Sequence, residues 1–125
     1  MVLVNSMSFY WLTVLERDSC CVGRFHEEQT INTLNLTLKK GKTVSGCIEM
    51  IAKAKSLGWG IVASIESAAE TSDDFIAHLA VGAKVGQLKA GGLSNIEHLA
   101  KYNALLRISG DRDGDIPYIG NAFRT

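Results

Sequence analysis

The sequence predicts an α/β fold of three consecutive βα units forming a short parallel sheet, and three observations carry the prediction. From about residue 31, short strand-like runs alternate with stretches of helical periodicity, the order that builds a parallel sheet. The run Gly60-Ile61-Val62-Ala63-Ser64-Ile65 is short, β-branched and apolar on both faces, as a strand held between two layers must be. Residues that start and stop helices, such as Gly58 and the Ser72-Asp73-Asp74 triplet, stand between these runs.

In chain order, Leu34 to Leu38 reads as the first strand, and a turn over Lys39 to Lys42 leads into the first helix. There Val44, Ile48, Ile51, Ala52 and Leu57 recur at helical spacing, and Gly58 follows as the terminating glycine. Gly60 to Ile65 is the second strand. Ser72, Asp73 and Asp74 supply an N-cap and negative charge for a second helix with Phe75, Ile76, Leu79, Ala80 and Ala83 on one face. Val85 to Lys89 is a third strand, closed by Gly91 and Gly92. Ser94 with Glu97 makes a capping box for a third helix, whose stripe is Ile96, Leu99, Ala100, Asn103 and Leu106. Arg112 to Asp115 is a turn. A closed eight-stranded β/α barrel takes about 200 residues or more. At 125 residues, three units cannot close one, and the chain reads as a fragment or short isoform of a longer protein.

Residues 1–30 do not continue this rhythm and are set apart as a segment of unknown fold. Their apolar start, residues 1–15, has no basic residue before Arg17 and no small-residue cleavage site, so a buried strand or short helix is expected instead of a signal peptide. It is also shorter than the roughly 20 residues of a membrane-spanning helix, and no membrane association is expected. A net charge of zero without a basic run removes the electrostatic footprint of nucleic-acid binding. Cys20, Cys21 and Cys47 are odd in number and two are adjacent, which fits neither a disulfide framework nor a CxxC metal site and suits a reducing, cytoplasmic setting. His26, His78 and His98 share no metal-ligand spacing, and surface or helix-face roles are expected for them.

The stretch G-W-G-I-V-A-S-I-E-S-A-A-E-T-S-D-D-F-I-A-H-L-A-V-G, followed by G-Q-L-K-A-G-G and L-A-K-Y-N-A-L-L-R-I, resembles the C-terminal region of the enolase family. The resemblance covers about residues 31–125 and includes the tail Y-I-G-N-A-F-R. It implies the last three βα units of an enolase-type TIM barrel, with the barrel incomplete. Within the family it is closest in character to a divergent animal branch associated with sperm and flagella.

Enolases convert 2-phosphoglycerate to phosphoenolpyruvate, and the resemblance implies these as ligands. Abstraction of the weakly acidic proton uses a lysine base, with two magnesium ions stabilising the dianionic intermediate. The family's magnesium ligands lie on barrel strands that have no counterpart here, so no cofactor is expected for this chain. Ungapped alignment through G-W-G puts Thr37 where the family has its base lysine, while a loop two residues shorter would put Lys39 there. The family's S-H-R-S reads Ser64-Ile65-Glu66-Ser67 here, so Ser67 alone remains of its three substrate-contacting residues. Glu66 in place of the arginine turns an attraction of about 4 kcal/mol for phosphate into a comparable repulsion, at about 4 Å and an effective dielectric near 20. Lys89 matches the lysine that engages substrate carboxylate and developing enolate; otherwise it is a lysine ending a strand near solvent. The candidate site is therefore Lys89 as a catalytic residue, with Ser67 and Lys89 as substrate contacts, and the expected role is a structural or interaction module that binds a protein partner or the remaining barrel segments.

Overall fold

The structure, a computed structural model, describes residues 11–12, 33–65, 71–111 and 117–120. The strands are β1 (Trp11–Leu12), β2 (Thr33–Leu36), β3 (Gly60–Ser64) and β4 (Gln87–Lys89). The helices are α1 (Leu38–Gly41) and α2 (Val44–Ser56) between β2 and β3, α3 (Phe75–Gly82) between β3 and β4, and α4 (Ile96–Asp111) after β4. The sheet order is β1-β2-β3-β4 and every pairing is parallel. Parallel neighbours require a crossover between them, which the helices supply for β2 to β4. The two-residue β1 adds a strand to the three expected, placing Trp11 beside Thr33 and Leu12 beside Leu34. Among the described residues the sheet is open, with β1 and β4 at its edges.

Register divides the sheet into two chemically different faces. Leu34 pairs with Ile61, and Leu36 with Ala63 and through it with Leu88. Leu34, Leu36 and Ile61 form one core with Cys47, Met50, Ile51, Ala54, Trp59 and Leu79. Ala63 joins Ile76 and Ala80 in a second cluster, against which Leu88 and Ile65 pack. Because strand side chains alternate, Thr33, Asn35 and Thr37 share the other face with Val62, Ser64, Gln87 and Lys89.

Two helices are rotated relative to the stripes expected from the sequence. In α2 the buried residues are Cys47, Met50, Ile51 and Ala54, whereas Val44 and Ile48 are 49% and 50% exposed. Cys47, Met50, Ile51 and Ala54 follow the i, i+3, i+4, i+7 pattern exactly as a helix face demands, but the more hydrophobic Val44 and Ile48 advertised the neighbouring face. In α4 the buried residues are His98, Lys101 and Ala104, while Ile96 and Leu106 lie largely in solvent. Hydrophobicity alone could not select that face, because two of its three members are polar. The helix begins at Ile96, so Asn95 and not Ser94 precedes its first residue; Asn is among the strongest N-cap formers. The α3 face is as expected at Ile76, Leu79 and Ala80, with Phe75 37% exposed.

Thr43 caps α2 by accepting a 3.0 Å hydrogen bond from the Gly46 N–H, and Gly58 ends it at φ +70°, where a side chain would be strained. Lys55 Nζ donates to the Ala83 carbonyl at 2.7 Å, tying α2 to the end of α3. Arg107 of α4 meets Asp74 at the start of α3 at 2.6 Å. Cys47 is a buried free thiol, and burial raises its pKa above the ordinary 9.0. Cys20, Cys21, the Arg112 to Asp115 turn and most of the closing tail lie outside the described residues.

Candidate functional site

A cleft of about 240 Å³ opens at the C-terminal ends of β2 and β3, lined by Thr37, Leu38, Lys39, Ser64, Ile65, Thr71, Asp73, Ile76 and Lys101. Parallel βα folds place ligands at this end, where the loops after several strands converge.

Thr37 follows β2 directly and opens α1 with extended backbone at φ −120°, ψ 150°. Its carbonyl accepts from the Lys40 and Gly41 N–H groups at 3.1 and 3.3 Å. Its hydroxyl caps nothing: Oγ1 is buried without a hydrogen-bond partner. Leaving a buried hydroxyl unanswered costs about 1–3 kcal/mol. Lys39 lies two residues further, exposed on α1, along the same cleft.

After β3, Ser64 Oγ donates to the Ile65 carbonyl at 3.1 Å, and Ile65 packs against the Ala63, Ile76 and Ala80 cluster. An aliphatic chain thus occupies the strand end where the resemblance expects histidine. Asp73 Oδ1 accepts from the Phe75 N–H at 2.7 Å, which fixes the carboxylate at the start of α3. Lys101 reaches the cleft from α4. Its side chain is 4% exposed, and its Nζ donates to the carbonyls of Thr71 and, at 2.8 Å, Glu97. Sequence reasoning missed Lys101, Thr71 and Asp73 as cleft residues. The available signal was the His98-Lys101 spacing on α4, which a hydrophobic stripe search passes over.

Lys89 stands at the end of β4, paired with Ser64, and its carbonyl accepts from the Ile65 N–H at 3.1 Å. Its side chain is exposed and does not border the cleft. Ser67 and Glu66 lie outside the described residues. The structure therefore brings Thr37, Lys39 and Ser64 together and leaves Lys89 on the adjoining strand.

The loop after Lys89 is held from α4. His98 Nδ1 lies 2.9 Å from the Gly92 carbonyl, and Tyr102 O–H donates to the Gly91 carbonyl at 2.6 Å. A carbonyl only accepts, so His98 carries its proton on Nδ1. Gly91 has φ +84°, and a Cβ there would lie 2.6 Å from the His98 ring. His98, expected on a surface or helix face, is thus a buried loop anchor, because its ring satisfies a carbonyl and fills space beside a glycine. His78 is half exposed beside Asp74, and His26 lies outside the described residues.

Magnesium requires a near-octahedral shell of oxygen ligands. Among the described residues no three His, Cys, Asp or Glu side chains converge, and Asp73 is the sole carboxylate lining the cleft. With Lys39 and Lys101 on the same walls, this residue set does not fit a catalytic magnesium ion. No helix among the described residues is long and apolar enough to cross a membrane.

Residues 17–125 match the protein family described as the enolase C-terminal TIM barrel domain, so the match begins inside the segment 1–30 that the sequence set apart. The chain is 43% identical over 103 residues to an enolase of Solanum lycopersicum, covering 82% of this chain and 23% of that protein. It is 42% identical over 99 residues to Enolase 2 of Hevea brasiliensis, covering 79% of this chain and 22% of that protein. The aligned region thus spans under a quarter of either relative.

Proposed function

The chain belongs to the enolase family and has the fold of part of its C-terminal TIM barrel, and from that premise we propose that it is a scaffold segment without phosphopyruvate hydratase activity of its own, kept for interaction. The observation carrying this reading is the chemistry of the strand ends. By the resemblance, Thr37 falls where family catalysis needs a base lysine, with Lys39 as the alternative under a shorter loop, and Ile65 falls where it needs a histidine; Thr37 is a buried hydroxyl and Ile65 packs against an apolar cluster. A threonine hydroxyl cannot accept a carbon-bound proton near neutral pH. Glu66 then repels the phosphate that an arginine would hold. In this reading the chain by itself binds no catalytic metal. Its partner is a protein, either the remaining barrel segments or another chain, in a cytoplasmic setting that extends to sperm flagella if the resemblance to that branch holds.

A second reading, in which this segment contributes to an active magnesium-dependent enolase within a longer isoform or assembly, draws support from Lys89. It ends β4 and its carbonyl accepts from the Ile65 N–H at the neighbouring strand end. The two readings separate in one assay: purified chain is given 2-phosphoglycerate and magnesium, and phosphoenolpyruvate is followed by ultraviolet absorbance. No turnover is expected, and neither compound should raise the thermal midpoint, because a ligand that does not bind cannot stabilise. Magnesium-dependent turnover that disappears in Lys89→Ala would establish the second reading instead.

A further inference from the structure

We propose that α4 is a strap held to the body by polar contacts, latching the loop after β4 and the chain leading into α3 as one unit, so that it opens as a block and frees both together. This goes beyond either reading of function, because it rests on the fold's own contacts. The starting observation is what α4 buries. Its buried residues are His98, Lys101 and Ala104, and neither apolar cluster of the described residues includes a residue of α4. Ile96 and Leu106 are 75% and 71% exposed, and Leu99, Leu105 and Ile108 are only half-buried. The second observation is independent: the polar side chains of α4 reach two separate segments. Nδ1 of His98 and the Tyr102 O–H bond the Gly92 and Gly91 carbonyls in the loop after β4, at 2.9 and 2.6 Å. Lys101 Nζ donates to the Thr71 carbonyl and Arg107 meets Asp74 at 2.6 Å, both in the chain leading into α3.

A helix seated by polar bonds detaches differently from one seated by apolar burial. Apolar contact is non-directional and survives small displacements, whereas hydrogen bonds weaken steeply once distance and angle are lost. His98, Lys101 and Tyr102 stand on adjacent turns of one rigid rod, so a movement that breaks one latch strains the others. Gly91 fixes the seat: at φ +84° a Cβ would lie 2.6 Å from the His98 ring, so glycine is what lets the loop approach α4. Opening is also inexpensive beside unfolding of the Leu34, Leu36 and Ile61 core, because each released carbonyl exchanges its protein donor for water. Lys101 keeps its second partner, the Glu97 carbonyl of its own helix at 2.8 Å, and so loses only the bond to Thr71. Once detached, a helix of 16 residues is marginal in water, so opening of α4 exposes its amides to exchange.

The test is native-state hydrogen exchange of the isotope-labelled full chain, read by NMR where exchange reports the opening equilibrium. The amides of residues 101–105 should exchange faster than those of Leu34, Leu36 and Val62, and should share one opening constant with Ile65 and Ala77. The Ile65 N–H bonds the Lys89 carbonyl at 3.1 Å and the Ala77 N–H bonds the Asp74 carbonyl at 2.9 Å, so these two report the latched segments. Tyr102→Phe keeps the ring and removes only the bond to Gly91. It should speed exchange at 101–105, Ile65 and Ala77 alike by about fivefold, the scale of one hydrogen bond, and leave Leu34 and Val62 unchanged. Arg107→Ala touches only the other segment, yet should speed the same set, by a smaller factor that shrinks as salt is added. Amides of α4 that exchange only together with Leu34 and Val62 overturn the inference. So does a Tyr102→Phe effect that stops at the loop after β4 and Ile65 and leaves Ala77 unmoved.

Discussion

The two faces of the sheet are built from the same four strands but obey different chemistry. Leu34, Leu36, Ile61, Ala63 and Leu88 meet α2 and α3 through apolar contact, and Leu34 and Ala63 are wholly buried. On the opposite face, Thr33, Asn35, Thr37, Ser64, Gln87 and Lys89 carry hydroxyls, amides and a charge, and Asn35 Oδ1 and Thr37 Oγ1 find no partner. Thr37 and Ile65, where the resemblance implies departures from the family, directly follow β2 and β3.

The sharpest way to break this contrast is to damage the packed face. Leu34→Ala removes a fully buried side chain from the larger cluster and should cost about 2–5 kcal/mol in chemical denaturation. A loss below 1 kcal/mol would mean that this face is not the stabilising one. Next in size is Gly91→Ala, where left-handed backbone and the His98 ring both oppose a methyl group. It should destabilise by about 1–3 kcal/mol, with changed His98 ring resonances in the NMR spectrum. Thr37→Val tests the polar face with the opposite sign: removing an unanswered buried hydroxyl should leave stability unchanged or raise it by about 1 kcal/mol. A clear destabilisation would reveal that the hydroxyl is already satisfied. Smallest of all, Arg107→Ala deletes a contact to Asp74 in which the arginine side chain is 60% exposed, and should cost no more than about 1 kcal/mol. That loss should shrink as salt is added.

Much of the architecture was legible in sequence because strand and helix periodicities survive locally. Gly60 to Ser64 declared itself by being apolar on both faces, and Gly58 by its position after a helical run. Residue faces were less legible. Val44 and Ile48 outweigh Cys47 and Ala54 in hydrophobicity yet lie in solvent, because burial depends on where the sheet lies and not on the helix's own composition. For the candidate site, the identities of Thr37, Ile65 and Glu66 were readable through family resemblance, but no hydrophobic pattern marked Lys101, which reaches Thr71 across thirty positions of sequence. Long-range polar contacts leave no periodic trace.

By itself, then, the sequence determined the βα order, the family and the neutral residues at the ends of β2 and β3, since each is written in neighbouring positions. Tertiary structure alone decided which helix faces turn inward, that His98 and Tyr102 hold the loop after Lys89, and that Lys101 shares a cleft with Thr37 while Lys89 does not. The physical reason is that parallel register and helix rotation are fixed by contacts between distant segments, and those contacts determine which polar groups share a cleft.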